Sequence, residues 1–227
     1  MIIPGEIYKE NEAMLFFSTK EFDIKKYNKS YKFIKQIHSN KVIMVDDPEQ
    51  YTADIEADAL VTTLSNINLC IKTADCVPIL LYDQVNDVYG AIHAGWRGAV
   101  VGVIQNTLDI MHSVGGRNSN IIARIGPCIR QESYEVSEDV YNEFLSTNSY
   151  NHIFFKKFKQ SKYLFDLPGY CSYILYIAGL SLDNINDILL NTFTNPKLFF
   201  SYRYYHNNAM QLQPSDRQVS WICKNMK

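Results

Sequence analysis

The sequence predicts a mixed α/β (α+β) fold in a single domain over residues 1–227. Three observations lead to this prediction. Brief apolar segments rich in β-branched and aromatic residues recur along the chain, a few segments carry apolar residues at helical spacing, and the two kinds interleave without a strict βαβ rhythm. A hydrophobic fraction of 47% over 227 residues is sufficient for one substantial core.

The predicted strands are short, bounded by turn or polar residues, and rich in residues that favour a pleated surface. They lie at residues 14–17, 42–45, 59–62, 69–72, 77–82, 88–93, 121–125, 163–167 and 198–205.

Helices are predicted from apolar spacing and from capping residues. Apolar residues recur every three or four positions over about 98–114, and Gly115-Gly116 follows, which predicts a helix that ends there. Ser137 is expected to cap a short second helix. Pro168 is expected to begin a third helix, which Gly179 ends.

Charge and cysteine content argue against several classes of protein. A formal net charge of −2 and a pI near 6.2 do not favour the capture of a nucleic acid or an anionic membrane. The apolar runs are too short to cross a bilayer, and the first ten residues lack the pattern of a signal peptide. Five widely spaced cysteines without a CxxC pair fit reduced thiols better than a disulfide scaffold, so we expect a cytoplasmic protein.

Three residues near strand ends form a candidate metal site. Cys76 follows one apolar strand, His93 ends the strand YGAIH, and His38 precedes the strand VIMV. Two histidines and one cysteine suit zinc, with the fourth position left open as in catalytic sites, and the same donors also bind copper. Each residue also has an ordinary structural explanation, because a histidine at a strand end can be packed or exposed, and a buried lone cysteine often acts as a small hydrophobe.

The turn after His93, Ala94-Gly95-Trp96-Arg97-Gly98, leads into the first predicted helix. Its two glycines permit close approach of the backbone and unusual φ angles, so the turn can line a pocket. The helix start behind it supplies free N–H groups and partial positive charge, which suit an anion. The turn could equally be a tight connection in which Trp96 anchors the core.

Six motifs appear in order along the chain. They are KQIHSNKV (35–42), EADALVTT (56–63), IKTADCVPILLYD (71–83), GAIHAGWRGAVVGVI (90–104), IGPCI (125–129) and FFSYR (199–203). Together they resemble the laccase-domain family of bacteria, the YlmD/YfiH-like proteins, from about residue 14 to 221. That family was first labelled multicopper polyphenol oxidase and later described as purine nucleoside phosphorylase with adenosine deaminase activity.

The resemblance implies a single α/β domain with a central mixed sheet and a metal trio formed by His38, Cys76 and His93. It also implies phosphorolysis of adenosine, inosine, guanosine and methylthioadenosine, hydrolytic deamination of adenosine, and an older activity, the oxidation of phenols with copper. A purine nucleoside and phosphate are then the expected small-molecule partners, and one zinc ion is the expected cofactor.

The chain departs from the family pattern in segments that are expected to form part of the nucleoside and phosphate pocket. Family members carry an S-T-R-x-G stretch and further residues before the Gln-x-His motif, whereas here only Ser18-Thr19-Lys20 remains and the segment up to His38 is shortened. The S-Y-R-R-D tail of the family reads Ser201-Tyr202-Arg203-Tyr204-Tyr205, and Asn191-Thr192 replaces a Cys-Thr pair. The departures therefore bear on purine activity more than on the metal site.

Candidate catalytic and substrate-binding residues flank the trio. Arg97 and Arg203 could hold phosphate or form surface salt bridges. Asp75, beside the thiolate, could be a general base, an orienting residue or a turn cap. Gln36 could position substrate or cap its turn, and Cys128 is expected to line the pocket, although it could be a buried hydrophobe.

Three functions compete at this stage. The first is a zinc-dependent purine nucleoside phosphorylase with adenosine deaminase activity, although the zinc-deaminase signature H-x-E…P-C-x-x-C is absent. The second is a copper-dependent polyphenol oxidase, which one His/Cys/His site supports poorly, because the chain has five histidines and no His-x-His pair. The third is a metal-binding module that has lost turnover through the shortened N-terminal segment.

Overall fold

The computed structural model describes residues 7–10, 13–22, 30–50 and 52–224. Residues 1–6, on which the signal-peptide expectation partly depends, and residues 23–29 of the shortened segment lie outside this range. The strands are β1 Ile7–Glu10, β2 Ala13–Phe17, β3 Ser30–Lys32, β4 Val42–Val45, β5 Ala59–Thr62, β6 Ile67–Thr73, β7 Val77–Asp83, β8 Val88–Ala94, β9 Ile121–Ile125, β10 Glu135–Ser137, β11 Phe155–Lys159, β12 Lys162–Phe165, β13 Ile185–Asp187 and β14 Gln218–Lys224. The helices are α1 Trp96–Val100, α2 Val103–Ser113, α3 Glu138–Thr147, α4 Leu167–Ile177 and α5 Tyr202–Asn207.

These strands form three sheets. A six-stranded sheet has the order β13-β9-β7-β8-β5-β4, and a five-stranded sheet has the order β1-β2-β14-β6-β3. A small third sheet has the order β10-β12-β11. Both large sheets are mixed, since β4/β5, β9/β13 and β3/β6 run parallel while the other pairs run antiparallel. The predicted mixed α+β fold with a central mixed sheet is therefore confirmed.

The six-stranded sheet is the middle layer of the molecule. On β7, Val77, Ile79 and Leu81 pack in one hydrophobic cluster with residues of α1, α2 and α4. Leu80 and Tyr82, which point to the opposite face, pack in a second cluster with residues of the five-stranded sheet. Because both faces of this strand are covered, its sequence is a continuous apolar run and does not alternate with polar residues.

The predicted helix over 98–114 is wrong at its beginning. Two helices occupy this region, α1 and α2, and Gly102 separates them with a left-handed backbone, φ +92° and ψ +35°. A left-handed residue cannot continue a right-handed helix, so the apolar spacing spans a break that only glycine accommodates without strain. Among the described residues no helix is long and apolar enough to cross a membrane.

The predicted strand over 198–205 is also wrong. The segment enters α5 at Tyr202, because the hydroxyl of Ser201 caps the helix by accepting a hydrogen bond from the N–H of Tyr204 at 3.1 Å. The sequence-based strand map also omitted β14, which lies between β2 and β6 in the five-stranded sheet. The aromatic residues of 198–205 favour a strand, but the Ser201 cap stabilises a helix from Tyr202 onward.

Candidate metal centre

The fold brings His38, Cys76 and His93 together. One ligand atom from each residue lies within 4.8 Å of the others. The Sγ of Cys76 is 3.7 Å from Nε2 of His38. The ring centroids of His38 and His93 are 4.8 Å apart, in an edge-to-face arrangement. His93 is buried and His38 is exposed, so the group lies between the core and solvent.

Strand register explains how Cys76 meets His93. In the antiparallel pair of β7 and β8, Pro78 is paired with His93. Cys76 lies two residues earlier, in the link that carries the chain from β6 in one large sheet to β7 in the other. Asp75 in that link has a φ of +91°, a conformation that non-glycine residues rarely adopt. Such a backbone is typical of functional sites and tight connections.

Asp58 joins the two histidines. Its Oδ1 lies 2.7 Å from Nδ1 of His93 and accepts a hydrogen bond from the N–H of His38 at 2.9 Å. Its Oδ2 accepts hydrogen bonds from the N–H and hydroxyl of Ser39 at 2.6 and 2.7 Å, and from the N–H of Ile37 at 3.3 Å. The carboxylate is fully buried. It belongs to the EADALVTT motif, yet sequence reasoning gave it no role.

Electrostatics favour the ligand form of the cysteine. Burial raises the pKa of Cys76, but the charges and hydrogen bonds of His93 and His38 outweigh burial and lower the pKa to about 6. Burial lowers the pKa of His93, but Cys76 and Asp58 raise it to about 9. Burial also raises the pKa of Asp58, and hydrogen bonds from His93 and Ser39 bring it down to about 2. The carboxylate and thiolate are therefore both anionic at neutral pH.

The donor set fits a transition metal. With Nδ1 of His93 engaged by Asp58, its Nε2 remains as the ligand atom, and Cys76 and His38 supply sulfur and nitrogen. Two imidazoles and a thiolate suit zinc or copper, with room for an exogenous ligand. Within the described residues, no other group of three His, Cys, Asp or Glu side chains converges in this way. The arrangement therefore suggests a site for one ion.

Gly95 leaves space for the histidine and the thiolate. A Cβ at this position would lie 2.5 Å from Cδ2 of His38 and 3.3 Å from Sγ of Cys76. A Cβ at Gly98 would lie 2.7 Å from the carbonyl oxygen of Ser39. The two glycines therefore allow α1 to pack against the His38 loop. Neither has a positive φ, so glycine is needed at these positions for close approach and not for an unusual backbone angle.

The three ligands open onto a pocket of about 600 Å³. This volume is in the range of small-molecule sites. Most of the charged side chains around it are basic, and several aromatic rings contribute to its walls. Its lining consists of Ile34, Gln36, His38, Lys72, Thr73, Ala74, Asp75, Cys76, His93, Trp96, Arg97, Ile129, Tyr134, Leu167, Tyr202, Arg203, Pro214 and Arg217.

Asp75 and Gln36 line the pocket, but hydrogen bonds within the protein occupy both side chains. Oδ1 of Asp75 accepts a hydrogen bond from the hydroxyl of Thr192 at 2.6 Å, and Oδ2 accepts one from the N–H of Arg203 at 2.7 Å. Burial raises the pKa of the Asp75 carboxyl, and these bonds oppose the rise. The Gln36 amide donates to the carbonyl of Lys72 at 2.7 Å and accepts from its N–H at 2.8 Å. Gln36 thus anchors the His38 loop to the edge of β6.

The remaining predicted residues separate into two groups. Arg97 and Arg203 both line the pocket. The Arg97 guanidinium lies 4.4 Å from the Trp96 ring centroid, and Nη2 of Arg203 donates to the carbonyl of Glu135 at 2.8 Å. Cys128 does not line the pocket. It is fully buried in the hydrophobic core, 3.7 Å from Nη1 of Arg130, and burial raises the pKa of its thiol.

Besides Asp58, which is buried next to the ligands and does not line the pocket, sequence reasoning missed several residues of the pocket lining. Tyr134, Lys72, Tyr202 and Arg217 contribute to the lining. Tyr202 adjoins the predicted Arg203 within the FFSYR motif, which is a signal that could have identified it. Lys72 lies in the IKTADCVPILLYD motif, four residues before Cys76, which is a similar signal. Tyr134 and Arg217 reach the site only through tertiary packing.

Comparison with known proteins places these features in a family. Residues 11–223 match the family described as multi-copper polyphenol oxidoreductase laccase. A Rickettsia conorii protein named purine nucleoside phosphorylase is 39% identical over 175 residues, covering 76% of this chain and 70% of that protein. A Rickettsia prowazekii protein of the same name is 37% identical over 191 residues, covering 83% and 76%.

Two solved structures share the fold. The hypothetical protein YfiH of Bacillus licheniformis has a TM-score of 0.84 and 25% identity, covering 95% of this chain and 94% of that one. YlmD of Geobacillus stearothermophilus has a TM-score of 0.82 and 19% identity, covering 95% and 93%. With a family match over residues 11–223 and the same fold over nearly the whole chain, this protein belongs to the laccase-like multi-copper polyphenol oxidoreductase family of YlmD/YfiH-like proteins.

Proposed function

We propose that this chain is a metal-dependent purine nucleoside phosphorylase with one zinc ion held by His38, Cys76 and His93. The observation that carries the proposal is the position of this trio in a 600 Å³ pocket that basic and aromatic side chains line. Relatives at 37% and 39% identity are named purine nucleoside phosphorylases, which supports the same substrate class. When bound, the metal would supply Lewis acidity at the open coordination position.

Phosphate is expected to bind near Arg97 and Arg203. Arg97 has no ion pair within the described part of the chain, and the neighbouring Trp96 ring holds its guanidinium. Arg203 uses Nη2 on a backbone carbonyl and keeps its other N–H groups for a ligand. A guanidinium suits phosphate, because its donors match pairs of phosphate oxygens.

Two other features favour a nucleoside. The rings of Trp96, Tyr134 and Tyr202 line the pocket, and a purine can pack against them on the sides that Arg97, Phe165 and His206 do not occupy. Thr73 lines the pocket, and its buried hydroxyl has no hydrogen-bond partner among the described residues. A small shift of the pocket wall would let a substrate oxygen satisfy this hydroxyl, which has almost no accessible surface; an unpaired buried polar group is costly.

In the proposed reaction a phosphate oxygen forms a bond to C1′ of the ribose while the bond from C1′ to the purine nitrogen breaks. The purine leaves with the bonding electrons and takes up a proton. The cations of the pocket would neutralise phosphate, and Asp75 would position Arg203 through its backbone N–H. This positioning role suits Asp75 better than that of a general base, because both of its oxygens already accept hydrogen bonds.

We further propose adenosine deamination as a second reaction of the same pocket, in which water would add to the purine carbon that bears the amino group and ammonia would leave. A metal held by His38, Cys76 and His93 would supply the Lewis acidity that makes such a water more nucleophilic. The copper-dependent polyphenol oxidase remains the alternative, because the matched family is described as multi-copper polyphenol oxidoreductase laccase. The single convergent trio among the described residues favours one-ion chemistry over a multicopper cluster. Five free cysteines fit a reducing compartment, so we propose that the protein acts in the cytoplasm. We also propose that the chain is one domain, which a single family match over residues 11–223 supports.

The test is incubation of zinc-loaded protein with inosine and phosphate, followed by chromatography for hypoxanthine and ribose 1-phosphate. We expect Cys76→Ala to lower the rate by about 100-fold or more, because the metal site loses its thiolate. Adenosine in the absence of phosphate tests deamination through the release of inosine. Zinc-loaded protein that produces no hypoxanthine above the Cys76→Ala background would leave the binding module as the better description. Phenol oxidation that requires several coppers per chain would favour the oxidase.

A further inference from the structure

Asp58 contacts both histidines of the metal trio, although it belongs to neither of their segments. It lies immediately before β5, whereas His38 lies before β4 and His93 lies near the end of β8. A single carboxylate oxygen, Oδ1, is shared by the ring of His93 and the backbone of His38. We infer that Asp58 is the positioning residue of the metal centre, which sets the orientation of one histidine ring and the backbone of the other.

The first part of this role concerns the tautomer of His93. Asp58 offers only acceptors when ionised, so the 2.7 Å contact requires the proton of His93 to lie on Nδ1. Nε2 is then the nitrogen through which a metal would be held, in place of any proton that it carries. A hydrogen bond from the N–H of His93 to the Asp58 carbonyl, also 2.7 Å, holds the backbone beneath the ring. The residue therefore fixes His93 at two points.

The second part concerns the loop that carries His38. Three successive N–H groups, from Ile37, His38 and Ser39, converge on the same carboxylate. His38 has a φ of +60°, which a non-glycine residue adopts only where the surroundings enforce it. Consecutive N–H groups around an anion form a nest, and here the anion is a fully buried side chain of the protein itself.

An amide in place of the carboxylate would break this arrangement. Asparagine has one acceptor oxygen, whereas the two oxygens of Asp58 face donors on both sides. If the oxygen of the introduced amide faced Ser39, its NH₂ group would face Nδ1 of His93, and the imidazole would have to place its proton on Nε2. If the amide oxygen faced His93, the N–H of Ser39 would lose its acceptor. Either orientation weakens one histidine ligand.

The test is zinc affinity, measured on the full chain by competition with a chromophoric chelator. We expect Asp58→Asn to bind zinc about 10- to 100-fold more weakly than the wild-type protein. Ser39→Ala is the matched control, since it removes one donor from Oδ2 but leaves the contact to His93. We expect that variant to stay within about threefold of the wild type. Equal losses in the two variants, or wild-type affinity in folded Asp58→Asn, would overturn the inference.

Two spectroscopic measurements separate positioning from general loosening. Cobalt-loaded Asp58→Asn is expected to show altered ligand-field bands, because the geometry of the imidazole ligands changes. Long-range ¹H–¹⁵N spectra of zinc-bound wild-type protein should show His93 protonated on Nδ1 and metal-bound through Nε2. Metal binding through Nδ1 would contradict the inference even if Asp58→Asn failed to fold.

The inference rests on the proposed metal centre, but it can fail independently of the proposed function. Wild-type protein that binds zinc tightly and does not cleave inosine would overturn the phosphorylase proposal and leave the role of Asp58 intact. Active wild-type protein with an Asp58→Asn variant of unchanged zinc affinity would do the reverse.

Discussion

At the scale of single residues, the space beside the metal ligands depends on a missing side chain. Gly95→Ala would place a Cβ 2.5 Å from Cδ2 of His38 and 3.3 Å from the sulfur of Cys76. We expect this variant to lose about 1–3 kcal/mol of unfolding free energy, as for other overpacked sites. We also expect zinc affinity to fall about tenfold or more, because the His38 ring must move. Chemical denaturation and chelator competition measure the two effects.

Gly90→Ala provides the matched control. Gly90 is buried in β8, the same strand that ends at the site, but a Cβ there would meet its neighbours at ordinary contact distances of 3.4 Å or more. We expect zinc affinity close to that of the wild-type protein. Gly95→Ala with unchanged zinc affinity would mean that the His38 ring can move without cost to the ligand set.

The metal ligands could be predicted from the sequence because their motifs carry chemistry, whereas Asp58 could not. His38, Cys76 and His93 are residue types that bind metals, and the KQIHSNKV, TADC and HAGWRG motifs mark their segments. Asp58 is one carboxylate among 24 acidic residues, and only the pairing of β5 with β8 places it under His93. Its role therefore requires knowledge of strand order, which no local pattern contains.

At the scale of secondary-structure elements, local spacing predicted most strands but not the elements that caps and tertiary pairing decide. The strand predicted at 198–205 becomes α5 because Ser201 caps a helix there. The C-terminal strand β14 is absent from the sequence-based strand map. Val219, Trp221 and Cys223, at every second position of QVSWICK, pack in one hydrophobic cluster, as expected for one face of a strand. Both of its edges are paired, with β2 and β6, so its existence depends on two distant parts of the chain.

The hairpin between β7 and β8 contains a carboxylate that organises its turn. Oxygens of Asp83 accept hydrogen bonds from the N–H groups of Val85 and Asn86 at 2.9 Å, and from that of Arg117 at 2.7 Å. Asp83 thus joins the hairpin to the segment between α2 and β9. Burial raises its pKa, but hydrogen bonds from the side-chain amide of Asn86 and from these N–H groups outweigh burial and leave the pKa below the ordinary value of 3.8.

This depressed pKa predicts a pH dependence of stability. The folded pKa is lower than the unfolded one, so the stabilisation is fully present above the unfolded pKa and is lost as pH falls through the folded pKa. We expect Asp83→Asn to lose about 1–3 kcal/mol of unfolding free energy at pH 7. The difference from the wild-type protein should shrink as the pH falls below 3.8.

Urea titrations from pH 7 into the acid range measure this difference. Asp109→Asn, on the exposed surface of α2, provides the control and should change stability by less than about 0.5 kcal/mol. A wild-type to Asp83→Asn difference that stays constant down to the lowest pH would show that the ionised carboxylate does not stabilise the turn.

At the scale of the whole molecule, the metal site belongs to no single layer. His38 lies in the loop before β4, Cys76 links the five-stranded sheet to the six-stranded sheet, and His93 lies near the end of β8. The pocket walls add residues from α1, α5 and the segment before β14. The ligand set therefore exists only when both large sheets are folded and packed together.

This construction predicts that zinc binding is linked to global folding. A ligand that binds only the folded state adds about 2.7 kcal/mol of stability at a free concentration of 100 times its dissociation constant. We expect zinc to raise the unfolding midpoint of the wild-type protein and a strong chelator to lower it again. In Cys76→Ala the same zinc addition should produce little shift, because the thiolate is lost from a set of three ligands.

Differential scanning calorimetry with and without zinc makes the comparison, and calcium, which prefers oxygen ligands, serves as the ionic control. A zinc-dependent shift of equal size in both proteins would mean that the stabilising ion binds elsewhere in the chain. A shift confined to the wild-type protein would tie the packing of the two sheets to the occupancy of this one site.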